Sequence, residues 1–139
     1  MVHMPQVNYL AVLVSGVVIF ILGGVWYSPA LFAKKWIALQ GRTEEEMKAA
    51  SRPMPVLLLI ALVCGTLGAL GIAAVLNHYN DPFPSRGVMV GAYCWALFSG
   101  ASSFTNYLFS QRKFALWVID SGFNLVSYLI AGAILGAWR

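Results

Sequence analysis

Four long blocks of this chain, at about 7–26, 55–77, 88–109 and 114–138, contain a single charged residue, Asp120. A helix rising ~1.5 Å per residue needs ~20 apolar residues to cross a ~30 Å hydrocarbon core, and each block is long enough. Only 10% of the 139 residues are charged and 60% are hydrophobic, whereas an average soluble domain is roughly 25% charged. A soluble chain of this length could not hide so much apolar surface. The sequence therefore predicts an all-α polytopic membrane protein, with a single membrane domain over 1–139. It has four transmembrane helices and an amphipathic interfacial helix in the link 27–54. The first block reads as a span rather than a signal peptide. No Lys or Arg precedes it, it is too long for an h-region, and no small-x-small cleavage site follows.

Two of the three links are short. Asn80-Asp81-Pro82-Phe83-Pro84 is a turn signal between the second and third blocks, and Gln111-Arg112-Lys113 joins the third to the fourth. The last three helices should thus form an antiparallel meander. In the long link, Ser28-Pro29 reads as an N-cap followed by proline at the first helical position. Leu31, Phe32, Lys35, Trp36 and Leu39 then recur at helical spacing, and Gly41 can end that helix. Thr43 and Glu46 make a capping box for a second short surface helix over 44–51, stopped by Pro53 and Pro55.

Basic residues set the orientation. Lys34, Lys35, Arg42, Lys48, Arg52, Arg112 and Lys113 lie on the two links of one side, and only Arg86 and Arg139 on the other. The links 27–54 and 110–113 are therefore expected in the cytoplasm and both termini outside it. The net charge of +4 does not indicate nucleic acid, because the cations sit at the ends of apolar blocks and form no patch interleaved with aromatics. Trp26, Trp117 and Trp138 fall near helix ends, where indole rings favour the headgroup layer.

Inside lipid, helices associate through close packing and interhelical hydrogen bonds. The small residues suit this: Ala61, Gly65, Gly68, Ala69 and Gly71 in the second block, Ala92, Ala96 and Gly100 in the third, and Gly132 and Gly136 in the fourth. These stripes are expected to pack the bundle; self-association into a homo-oligomer is the alternative. Cys64 and Cys94 lie inside apolar blocks at different depths and read as packed thiols.

An ionised carboxylate in hydrocarbon must be paired, hydrogen-bonded, protonated or in contact with water, which makes Asp120 the first candidate site. Asn124 and Ser127 extend a polar stripe from it, and antiparallel packing would bring Ser103 and Asn106 of the third block to its depth. One reading is a polar pocket with Asp120 as proton or cation acceptor. The other is an interhelix clamp, completed by Arg112 or Lys113 reaching inward. The clamp is favoured, because one carboxylate without partners makes a poor pathway. Asn8 at the head of the first block should cap or clamp. His3, His78 and Asp81 share one side but have no spacing that supports a metal site. There is no nucleophile constellation, phosphate loop or catalytic residue, and no cofactor is implied.

The stretch Gly24-Val25-Trp26-Tyr27-Ser28-Pro29-Ala30-Leu31-Phe32-Ala33-Lys34-Lys35-Trp36 resembles an uncharacterised family of small, mostly bacterial membrane proteins, domain of unknown function 1761. Their shared Gly-x-Trp-Tyr-x-Pro-x-x-Phe motif closes the first helix; Ala33 stands where glycine is expected. The resemblance covers nearly the whole chain and implies a bacterial inner membrane, but it supplies no catalytic or binding residues. Physically, Gly24, Trp26, Tyr27, Pro29, Phe32 and Trp36 form either an anchoring elbow or one wall of a lipid or small-molecule cleft over Gly23 and Gly24. Three function classes remain open: a structural or accessory protein acting through helix contacts, a small proton- or cation-coupled transporter or channel using Asp120, and a membrane enzyme or lipid-handling protein using the aromatic elbow.

Overall fold

The computed structural model describes residues 3, 6–80 and 83–139, and they are helical throughout, with short connections. α1 (Tyr9–Trp26) starts where the sequence offers a cap: the Asn8 side chain accepts a hydrogen bond from the Ala11 amide at 3.1 Å. Next come α2 (Ala33–Leu39) and α3 (Glu44–Ala50) in the long link, α4 (Met54–Leu76), and α5 (Pro84–Cys94). A π-helical turn over Trp95–Gly100 leads into α6 (Ala101–Phe109), and α7 (Phe114–Ala137) closes the chain. The expected capping box on α3 forms, with Glu46 N–H donating to Thr43 and Thr43 N–H to the Glu46 carboxylate.

Four helices are long and apolar enough to cross a membrane: Tyr9–Trp26, Met54–Leu76, the continuous rod Pro84–Phe109, and Phe114–Ala137. The third begins four positions earlier than the apolar block suggests. Pro84 sits in its first turn, where a missing N–H costs nothing, so the polar Ser85-Arg86 pair is helical and not part of the turn. Asp81 and Pro82, which the turn signal includes, lie outside the described residues.

The expected cap of the surface helix is different. Ser28 donates its hydroxyl backwards to the Val25 carbonyl at 2.6 Å instead of capping the next helix. Residues 27–32 form a series of turns, and α2 starts only at Ala33. Gly41, at φ +68°, takes the left-handed conformation that separates α2 from α3.

Two pairs dominate the packing: α5 against α7 and α1 against α4, with α1 also resting on α7. The first pair is a backbone-to-backbone contact. A Cβ on Gly87 would overlap the carbonyl oxygen of Gly132, and one on Gly132 would overlap that of Gly87. Gly91 meets the Tyr128 carbonyl in the same way, and a Cβ on Gly136 would lie 2.6 Å from the Phe83 carbonyl oxygen. The small-residue face of the third span is therefore Gly87 and Gly91. Ala96, on the stripe expected from the sequence, is exposed. In the second pair Gly16 accommodates Thr66, while Gly65 faces Ile19. Ile72, Leu76, Val90, Ala69 and Ala131 fill the space between the pairs.

These contacts predict a sharp contrast. Gly87→Ala and Gly132→Ala should each lower unfolding stability in detergent by about 1–3 kcal/mol, because backbone cannot move aside as a side chain can. Gly71→Ala, whose Cβ would meet nothing within 4 Å, should be neutral or stabilising in the same thermal unfolding measurement.

Candidate functional site

The carboxylate of Asp120, in the second turn of α7, collects three donors from three separate segments. Tyr27, just past the end of α1, donates its hydroxyl to Oδ1 at 2.6 Å, and the Trp36 indole N–H of α2 donates to the same oxygen at 2.9 Å. The Tyr107 hydroxyl of α6 donates to Oδ2. The backbone on either side of Asp120 takes two more: Trp26 Nε1 donates to the Ile119 carbonyl and Trp95 Nε1 to the Ser121 carbonyl, each at 3.0 Å. A carboxylate has room for about four such bonds. Five aromatic donors thus converge on one turn of α7.

Rings close the cluster. Tyr27 meets Trp36 edge-on at 5.8 Å and Phe123 at 5.7 Å, and Trp26 packs on Phe32 at 4.8 Å. Arg112 lies over the Tyr107 ring, 5.5 Å from its centroid, and so supports a donor without reaching the carboxylate itself. Burial first, then the hydrogen bond to Asp120 and its charge, hold the Tyr27 hydroxyl well above the ordinary phenol range.

The polar neighbours that the sequence suggested for Asp120 are placed elsewhere. Ser103 accepts from Trp117 Nε1 at 3.0 Å and donates to the Gly100 carbonyl, and Asn106 is exposed. The residue that does reach Asp120 from that helix is Tyr107, one position beyond Asn106. A π turn holds about one residue more than an α turn, so positions beyond Trp95–Gly100 are displaced by one from the regular-helix count. Nothing in the sequence marks that turn. The tryptophans Trp26 and Trp117, expected at the headgroup layer, direct their N–H groups into the protein.

Asn124 and Ser127 line a separate cleft between α1, α4 and α7, of about 620 Å³, bounded also by Gly23, Gly24, Gly65 and Tyr27. Gly24 of the aromatic motif thus lies on a cleft wall, whereas Pro29 is exposed in the elbow. A second, open hollow of about 540 Å³ lies between α2 and α3, lined by Trp36, Ile37, Met47 and, again, Tyr27. Tyr27 is the wall they share. Among the described residues no three His, Cys, Asp or Glu side chains group as a metal site; Asp81 lies outside the described residues.

Residues 10–136 match the family of proteins of unknown function DUF1761. The chain belongs to that family. The match takes in the whole Gly24–Trp36 motif, all four long helices except their outermost residues, and Asp120, so the cluster lies within the family's domain. No curated protein and no solved structure matches the chain.

The cluster predicts coupled energetics. Tyr27→Phe and Tyr107→Phe should each cost about 1–2 kcal/mol of unfolding stability. Asp120→Ala should cost more, and Tyr27→Phe added to Asp120→Ala should cost less than the sum. In Asp120→Ala the amides of 33–39 should exchange hydrogen faster while those of α5 and α7 near Gly87 and Gly132 keep their protection. On the alkaline side the sign is set by a pKa that is higher in the folded state. The stabilisation from Tyr27 is fully present below its unfolded value of ~10 and is lost as pH rises beyond it. Wild type should therefore lose stability more steeply than Tyr27→Phe in an alkaline unfolding titration.

Proposed function

We propose that the protein is a structural or accessory component of the bacterial cell membrane. In this reading it is a four-span bundle that holds an aromatic surface link in a fixed position and acts through helix contacts. The link segments 27–54 and 110–113 are assigned to the cytoplasm and both termini to the outside, supported by the seven basic residues of the links against two on the opposite side.

The observation that carries this reading is the engagement of both Asp120 oxygens by three donors from separate segments. Its oxygens are occupied by two phenols and an indole, and these donors come from the link as well as from the third span. Such a carboxylate ties the surface helix to the bundle. A transport role has less support, because a conducting acid must exchange its partners for water or substrate. The glycines most suited to self-association, Gly87, Gly91, Gly132 and Gly136, are engaged within the chain, so contacts with a second copy or another membrane protein fall to the remaining faces.

The test is flux. Purified protein in liposomes should show no proton or monovalent-cation conductance above protein-free vesicles, in wild type and in Asp120→Asn alike. Conductance in wild type that Asp120→Asn abolishes, with the variant still folded, would overturn the structural reading in favour of transport.

A further inference from the structure

Independently of that role, we propose that the cleft between α1, α4 and α7 binds a neutral, membrane-soluble molecule with a flat ring and a carbonyl acceptor, of the quinone type. Its volume of about 620 Å³ lies in the range of built ligand pockets, ~300–1,000 Å³. It runs from Leu57 to Gly68 along α4, ~16 Å at ~1.5 Å per residue, or about half of a ~30 Å hydrocarbon core. The cleft is therefore deep enough to take a ring well below the headgroups. Exposed Ile21 and Leu58 at its margin leave a side open through which a hydrocarbon tail can extend into lipid.

The chemistry of the walls selects the occupant. No Asp, Glu, Lys or Arg lines the cleft, so a charged headgroup would find no counter-charge there, and a charge at that depth is expensive. Phe20, Phe123 and Tyr128 supply aromatic faces, and Gly24, where a Cβ would meet nothing within 4 Å, leaves a stretch of wall open, a shape suited to a planar ring.

The inner end is polar. Ser127 is 2% exposed, and its hydroxyl is buried without a hydrogen-bond partner among the described residues. Asn124, three positions before it, lines the same cleft. A buried unsatisfied hydroxyl costs about 1–3 kcal/mol. The hydroxyl has no surface open to the cleft as it stands, so an occupant's carbonyl oxygen reaches it only once the side chain turns toward the cleft; accepting there from Ser127 and from the Asn124 amide would remove that cost. A bare acyl chain would satisfy neither group.

The experiment uses the full chain in nanodiscs, with decylubiquinone as the probe and decylbenzene, which has a ring and tail but no carbonyl, as comparator. Tryptophan quenching and thermal unfolding report binding. Trp26 reaches the cleft wall through Phe123, 6.3 Å away ring to ring. The expected result is saturable quenching by decylubiquinone, a raised unfolding temperature, and no saturable response to decylbenzene. Asn124→Leu combined with Ser127→Ala should weaken binding about tenfold or more, the loss of roughly 1.4 kcal/mol or more.

Gly24→Leu should abolish binding with the fold intact, since a Cβ there meets nothing within 4 Å. Gly68→Leu, whose Cβ would make an ordinary 3.7 Å contact with Tyr128, provides a second filled cleft should the first variant misfold. Equal binding of decylbenzene would show a groove for hydrocarbon only and overturn the proposal, as would unsaturable partitioning or undiminished binding in the filled variants. A wild-type dimer that Gly24→Leu converts to monomer, without probe binding, would place a second copy in the cleft and also overturn it.

Discussion

A carboxylate placed among apolar helices must find donors, and in this protein that requirement organises one end of the molecule. Asp120 is met by Tyr27 from the end of the first span, Trp36 from the surface helix and Tyr107 from the third span. None of the three lies on the helix that carries the acid, so each bond joins a different piece of chain to α7. The cost of leaving Asp120 unmet fixes where the link can lie. The amphipathic helix expected at the interface is anchored to the bundle by a specific hydrogen bond from Trp36.

The other end of the bundle is held by a different kind of force. Gly87 and Gly91 let α5 approach α7 until backbone touches backbone at Gly132 and Tyr128. Where no water is present to drive apolar association, such close approach supplies dispersion contacts that bulkier residues would prevent. α7 is therefore gripped by polar bonds near its start and by glycine contacts near its end. The cleft with Asn124 and Ser127 lies along the length between these two regions.

Much of this architecture is legible in the residues. The spans follow from block length, the cap at Asn8 and the capping box at Thr43 from their side chains, and the role of Gly132 and Gly136 in packing from their spacing. Asp120 stands out as the carboxylate that needs partners, but which partners it takes is not readable. Tyr27 and Trp36 read as parts of an interfacial motif, because sequence spacing does not show how residues 27–32 turn back toward α7. Regular-helix counting favours Asn106 over Tyr107, since it gives the wrong face beyond a π turn. Gly87 escapes notice for a simpler reason: the polar run before Val88 looks like turn, which leaves it outside the helix, while Gly91 lies inside the expected span but off the Ala92, Ala96 and Gly100 stripe.

That π turn has a further consequence. One additional residue in a helix of ~3.6 residues per turn rotates everything after it by ~100°. α5 and α6 are thus one rod with two settings. In an unbroken α-helix, Gly91 and Tyr107 would point ~160° apart; with the offset, the separation falls to ~60°, and one span can present glycine to α7 at one end and a phenol at the other. The third span works as two aligned half-helices, and the offset between them lets one rigid partner be read by both.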